Sequence, residues 1–138
     1  MSTRGYVGRL NEDGSVDAIY NHFDSYFDGL GKDLLENFDT KEKVDALIAR
    51  GSGSYVLDEK GYEDEPKSYH YDSIDDYLNK VDNDIFAEYI YLFTTDNSWL
   101  GKNHLCGKQY VGEDEKGYFW NFELLSEILP QIELTKQE

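Results

Sequence analysis

Two stretches at the start of the chain, each carrying apolar residues and separated by a polar turn cluster, read as two strands. Residues 3–10 carry Tyr6, Val7 and Leu10, and residues 15–23 carry Val16, Ile19, Tyr20 and Phe23. Between them stands Asn11-Glu12-Asp13-Gly14. Its closing Asp-Gly pair suits a tight hairpin turn, because glycine accepts a positive φ. The period then changes. Leu30, Leu34, Leu35 and Phe38 recur at helical spacing and predict a helix from Leu30 or Gly31 to Phe38. A second helix follows with Asp39 or Thr40 as N-cap, turns Val44, Leu47 and Ile48 to one face, and stops at Gly51.

Residues 51–67 are polar and glycine-rich. Residues 54–57 predict a short strand within them, and residues 58–67 an exposed acidic loop. Tyr69–Tyr71 predicts another short strand. Ser73 caps a helix over 74–80, with Asp75 and Asp76 in the first turn where the helix dipole favours them. The clearest strand is 87–94, built on Tyr89, Ile90, Tyr91, Leu92 and Phe93, and Trp99 and Leu100 begin a returning one. Tyr110-Val111 and residues 118–122 are further strand candidates, with a turn over 112–117. Residues 123–129 predict a helix ended or kinked by Pro130, and residues 135–138 a frayed tail. Strands and helices follow in mixed order without βαβ alternation. The expectation is a single α+β domain over 1–138, with a largely antiparallel sheet and three to four short helices. The aromatic strand over 89–93 is expected at a sheet edge, where it would offer a route to a homodimer.

Composition narrows the functional classes. A chain of 138 residues can bury one adequate core. That core leans on 12 Tyr, 7 Phe and 2 Trp, and tyrosine can bury its ring while keeping its hydroxyl wet. The one cysteine, Cys106, excludes an intramolecular disulfide framework. The opening Met1-Ser2-Thr3-Arg4-Gly5-Tyr6 lacks the apolar stretch of a leader peptide, and no apolar run is long enough to span a bilayer. A cytoplasmic domain with no membrane partner is expected.

Charge is the strongest compositional signal. There are 29 acidic against 13 basic residues, a net charge of −16, and the excess is densest over 58–84. Such a surface repels nucleic-acid phosphates and attracts basic protein surfaces. The candidate partner-binding face is Asp58, Glu59, Glu63, Asp64, Glu65, Asp72, Asp75, Asp76, Asp82 and Asp84. Acidic excess also serves solubility alone.

Catalytic and metal motifs are sparse. His104-Leu105-Cys106 is half of a zinc-like site with no second pair, and Asp82-Asn83-Asp84 lacks the glycine and distal glutamate of a calcium loop. Ser25 stands near His22 and Asp24, and Ser52 lies in Gly51-Ser52-Gly53, but neither has the strand-to-helix elbow of a nucleophile. Gly29-x-Gly31 is too short for a dinucleotide fingerprint. No catalytic residue, metal or cofactor is assigned, and binding rather than catalysis is expected. The most pointed segment is 20–31. On a strand, Tyr20, His22 and Asp24 share a side, and with Tyr26, Gly29 and Gly31 they frame a candidate loop site. Either this is a small binding site, or His22 hydrogen-bonds a neighbour and pins the loop to the sheet.

Four groups of residues carry a resemblance. They are Thr3-Arg4-Gly5-x-Val7-Gly8, then Asp13-Gly14-Ser15, then Ile19-Tyr20-x-His22-x-Asp24-x-Tyr26-x-x-Gly29-x-Gly31, then Leu34-Leu35-x-x-Phe38. Together they resemble a set of small phage and prophage proteins. Members of that set often have Asp-Gly-Tyr-Pro where this chain has Asp24-Ser25-Tyr26-Phe27. The resemblance is strongest in the first third of the chain. It implies a bacteriophage or mobile-element origin and expression inside a bacterium. Joined to the charge, it suggests a counter-defence inhibitor of anti-CRISPR or anti-restriction type, mimicking nucleic acid toward a basic, nucleic-acid-handling bacterial protein. The alternatives are a binder or sponge for a signalling nucleotide, using Arg4, Arg9, Lys32 and the Gly29–Gly31 loop; a small hydrolase using His22 and Asp24; and a structural accessory of the phage.

Overall fold

The first hairpin forms on either side of the turn cluster at residues 11–14. β1 (Arg4–Leu10) and β2 (Val16–Asn21) pair antiparallel in the register Gly5 to Asn21 through Leu10 to Val16. Gly14 closes the turn at φ 90°, a conformation that favours glycine. The computed structural model describes residues 3–58, 66–82, 87–103 and 123–136.

The remaining strands are β3 (Tyr69–Tyr71), β4 (Ala87–Phe93), β5 (Trp99–Asn103) and β6 (Glu123–Leu124). They complete one six-stranded sheet in the order β3-β2-β1-β4-β5-β6. Every pairing is antiparallel except that between β1 and β4, which is parallel. The helices among the described residues are α1 (Lys32–Asn37), α2 (Lys41–Arg50), α3 (Ile74–Asp82) and α4 (Leu125–Lys136). The chain is an α+β domain with a mostly antiparallel sheet.

The pleat sends alternate side chains to opposite faces, and each face has its own core. On one, Val7, Ile19, Tyr89, Tyr91, Phe93 and Trp99 meet Leu34 of α1, Val44, Leu47 and Ile48 of α2, and Leu125 and Ile128 of α4. On the other, Tyr6, Val16, Ala18, Tyr20, Ile90 and Leu92 meet Tyr77 of α3. Tyr77 is fully buried and keeps its hydroxyl satisfied by donating to the Tyr91 carbonyl at 3.0 Å. The indole N–H of Trp99 donates to the Phe38 carbonyl at 2.7 Å, tying the end of α1 to β5.

Caps follow the sequence. The Thr40 hydroxyl accepts from the Lys43 N–H, and α2 ends at Gly51 with φ 90°. The Ser73 hydroxyl accepts from the Asp76 N–H at the start of α3.

Several expectations need correction. The aromatic strand β4 is not an edge but lies between β1 and β5, so its backbone groups are already paired and it offers no route to a dimer. Residues 54–57 form no strand. Gly53 makes an isolated bridge to Asn21, and Val56–Asp58 is a 3-10 turn, because the Asn21 side chain takes the Val56 N–H. The first helix is preceded by a wide π-type turn over Phe27–Gly31. Pro130 does not end the last helix, which continues to Lys136, well into the stretch expected to fray. The strand candidates at 110–111 and 118–122, and most of the acidic loop over 58–67, lie outside the described residues.

Candidate functional site

Past the end of β2 the backbone keeps pairing, but with a new partner. The Gly53 N–H donates to the Tyr20 carbonyl at 2.9 Å, the His22 N–H to Gly53 at 3.2 Å, and the Phe23 N–H to Ser54 at 2.8 Å. Asn21 locks this junction. It is 0% exposed, and its amide nitrogen donates to the Phe23 carbonyl and the Ser25 hydroxyl, each at 2.7 Å. Its oxygen accepts from the Val56 N–H at 2.8 Å. A buried amide with its partners met on both ends holds two segments in one arrangement.

The chain then reverses at Asp24, which adopts φ 59°. Aspartate is among the few residues that visit this region readily. The Asp24 carbonyl accepts from the Leu30 N–H at 3.0 Å, and the Tyr26 carbonyl accepts from the Gly29 N–H at 3.0 Å. The π-type turn sends Phe27 and Leu30 into the core and leaves Phe23, Asp24 and Tyr26 outside. Phe23 is 43% exposed and Tyr26 38%, the two large hydrophobic side chains standing open to solvent among the described residues. Gly29 makes room for Tyr26, since a Cβ there would lie 2.6 Å from the ring.

These residues line an open hollow of about 720 Å³ together with Ser54, Tyr55 and Asp58. The Tyr55 hydroxyl donates to the Asp33 carboxylate at 2.6 Å. Burial raises its pKa far above the ordinary phenol value, helped by that hydrogen bond and by the charges of Asp33, Asp24 and Asp58. Tyr55 is therefore a fixed, neutral donor with carboxylates around it. The hollow joins aromatic rings to negative charge, the combination that attracts an organic cation.

The six residues of the expected loop site divide. Asp24, Tyr26 and Gly29 line the hollow. Tyr20 is buried in the core on the α3 side, and Gly31 lies beneath the Tyr91 ring, its nearest atom the phenol oxygen. His22 is 8% exposed, with Nδ1 2.8 Å from the Tyr20 hydroxyl and its ring edge-on to Phe23 at 4.6 Å. His22 thus supports Phe23 from behind.

The expected acidic face is not gathered into one face where it is described. Asp58 borders the hollow, on the turn whose Val56 packs with α2. Asp72, Asp75 and Asp76 are exposed at the start of α3, which covers the opposite face of the sheet. Asp82 ends α3. Glu59, Glu63, Asp64, Glu65 and Asp84 lie outside the described residues, as do His104 and Cys106. Among the described residues no group of three His, Cys, Asp or Glu is placed to hold a metal ion, and no helix is long and apolar enough to cross a membrane.

A second hollow of about 610 Å³ opens where β1 and β4 end, lined in part by Arg9, Lys41 and His70. Each of these cations already has a carboxylate. Arg9 bridges Asp17 at 2.7 Å and Asp45 at 3.0 Å, Lys41 holds Asp45 at 2.7 Å, and His70 holds Asp17 at 2.7 Å. Arg4 stands at the opposite end of β1 from Arg9, roughly 17 Å away by strand rise. Arg4, Arg9 and the Gly29–Gly31 turn therefore do not converge on one phosphate.

Sequence reasoning missed Asn21, Tyr55 and Asp33, and counted Phe23 only as a strand residue. For Phe23, its place between His22 and Asp24, beside the glycine loop, was the available signal. Nothing local marks Asn21, whose partners come from a different segment. The chain matches no family model, no curated protein and no solved structure.

Proposed function

We propose that this chain is an acidic interaction protein of phage origin. It acts in the cytoplasm of a bacterial host as a counter-defence inhibitor, by occupying the basic surface of a nucleic-acid-handling protein. The observation that carries this reading is how the charge is distributed. The chain has a net charge of −16, and Arg9, Lys41 and Lys43 are already engaged by its own Asp17, Asp45 and Asp39. The acidic excess thus faces outward, with Asp24, Asp58, Asp72, Asp75 and Asp76 all exposed. A field of this sign steers a basic partner in and keeps nucleic acid out.

The test is retention of nuclease-treated bacterial lysate on the immobilised protein. Basic, nucleic-acid-handling proteins are expected to bind at low salt, to elute as salt rises, and to be displaced by added duplex DNA or by RNA. Retention of no basic protein at low salt, or retention that neither nucleic acid disturbs, rejects the reading.

A further inference from the structure

We propose that the hollow between the Phe23–Gly29 loop and the Tyr55–Asp58 turn is a socket for an arginine side chain presented by the partner protein. This deepens the function proposed above and rests on it.

Three independent features converge on this occupant. The first is apolar exposure. Phe23 and Tyr26 are the large hydrophobic residues left open among those described, and both line this one hollow. Exposed aromatics gathered in one place mark a binding site more often than scattered ones do. The second is charge. Asp24 and Asp58 line the same hollow, and Asp33 stands behind Tyr55. An apolar group alone would offer Asp24 and Asp58 no partner, so a neutral hydrophobic segment does not suit the site. The third is rigidity. Asn21 clamps both walls through the Phe23 carbonyl and the Val56 N–H, His22 backs the Phe23 ring, and Gly29 seats Tyr26. A site held this way loses little freedom when it is filled.

Guanidinium fits better than ammonium. It is planar, stacks on aromatic faces, and offers several N–H donors to carboxylates at once. Lysine brings a compact, strongly hydrated charge that gains less from the rings.

The experiment is an NMR titration of the full chain with three blocked pentapeptides, Gly-Ser-X-Ser-Gly, in which X is arginine, lysine or citrulline. The arginine peptide is expected to shift the amides of Phe23, Asp24, Tyr26, Gly29 and Asp58 saturably. The lysine peptide is expected to bind several-fold more weakly, and the neutral citrulline peptide not measurably. The double variant Asp24→Asn/Asp58→Asn is expected to lose affinity by on the order of tenfold, and Tyr26→Ala to lose it comparably. Asparagine tolerates the positive φ at position 24, so the fold is retained, and amide dispersion verifies this in each variant. Asp75→Asn/Asp76→Asn, on α3, is expected to bind as the parent does.

Equal binding of arginine and citrulline peptides overturns the socket. So does binding that Asp75→Asn/Asp76→Asn weakens while Asp24→Asn/Asp58→Asn leaves it intact. In that case the broader reading of an acidic partner-binding protein stands and only the location is wrong. Absence of binding by either cationic peptide overturns the socket as well. The broader reading falls with it only if the lysate experiment also retains no basic protein.

Discussion

The hydroxyl of Tyr20 and Nδ1 of His22 lie 2.8 Å apart, both side chains nearly closed to solvent. Tyr20 belongs to the core under α3, while the His22 ring packs against Phe23 in a T-shaped contact. The pair therefore links the core to the rim of the aromatic hollow. Tyr20→Phe removes the link and leaves a buried imidazole nitrogen without its partner. A loss of about 1–2 kcal/mol is expected in urea unfolding, together with line broadening at the Phe23 amide. A variant that matches the parent in both measurements shows the link to be idle.

Asn21 carries more than its size suggests. Asn21→Ala strips the partner from the buried Val56 N–H and removes the amide donor to the Phe23 carbonyl and the Ser25 hydroxyl. The expected cost is about 2–3 kcal/mol, most of it from polar groups left buried and unmet. Hydrogen exchange reports it locally. The Val56 amide is expected to lose protection by orders of magnitude, while that of Ile90, in the centre of the sheet, falls only by the global change in stability.

These two residues show which parts of the fold were legible in the sequence. The Asp13-Gly14 turn, the Thr40 cap and the Gly51 stop are encoded within a few residues of where they act, so local chemistry reveals them. The aromatic and β-branched run over 89–93 reveals a strand for the same reason. It does not reveal which strands flank it, because pairing with β1 depends on residues far away in sequence, and so a central strand was expected at an edge. The hollow suffered likewise. Asp24 and Tyr26 stood out beside paired glycines, but Tyr55 and Asp58 reach the same place only through the Gly53 bridge and the Asn21 clamp. The dense acidic segment drew attention by count, and count does not report which face an element presents.

Gly8 tests the packing on the α3 side. A Cβ there would meet the Tyr77 ring at 2.9 Å and Val16 at 3.0 Å. Tyr77 has little freedom to move, being fully buried and hydrogen-bonded to the Tyr91 carbonyl. Gly8→Ala is expected to destabilise the fold by about 1–3 kcal/mol despite adding a better strand former. A thermal midpoint equal to or above the parent's refutes this.

His70 and Asp17 give stability a pH dependence. The hydrogen bond to Asp17 raises the His70 pKa above 6.5. Burial pushes the Asp17 carboxyl up, but hydrogen bonds with His70 and Asn11 and the Arg9 charge outweigh it and leave its pKa below 3.8. The folded state therefore holds the His70 proton more tightly than the unfolded state does. That contribution is complete below the unfolded imidazole value and fades as pH rises through the raised folded one. The Asp17 contribution is present above the unfolded carboxylate value and fades as pH falls through the lowered one. The difference in thermal midpoint between the parent and His70→Gln is expected to be largest near about pH 5–6 and to shrink as pH rises through the raised imidazole value. In the parent, NMR titration is expected to place the His70 pKa above the ordinary value, and Asp17→Asn is expected to return it downward. A His70 pKa at or below 6.5 in the parent rejects the pairing.

The parallel contact of β1 with β4 has a consequence for how the chain reaches this state. The β1–β2 and β4–β5 hairpins each join strands close in sequence, so their loops close quickly. The partners Gly5 and Tyr89 stand roughly eighty residues apart, and the entropy of closing that loop is lost before any contact across it is made. The seam between β1 and β4 is thus expected to be the slow step of assembly, with a bare edge on both hairpins until it closes. Synthesis from the N-terminus leaves the first hairpin waiting for the second, with β1 open to any other strand that reaches it first.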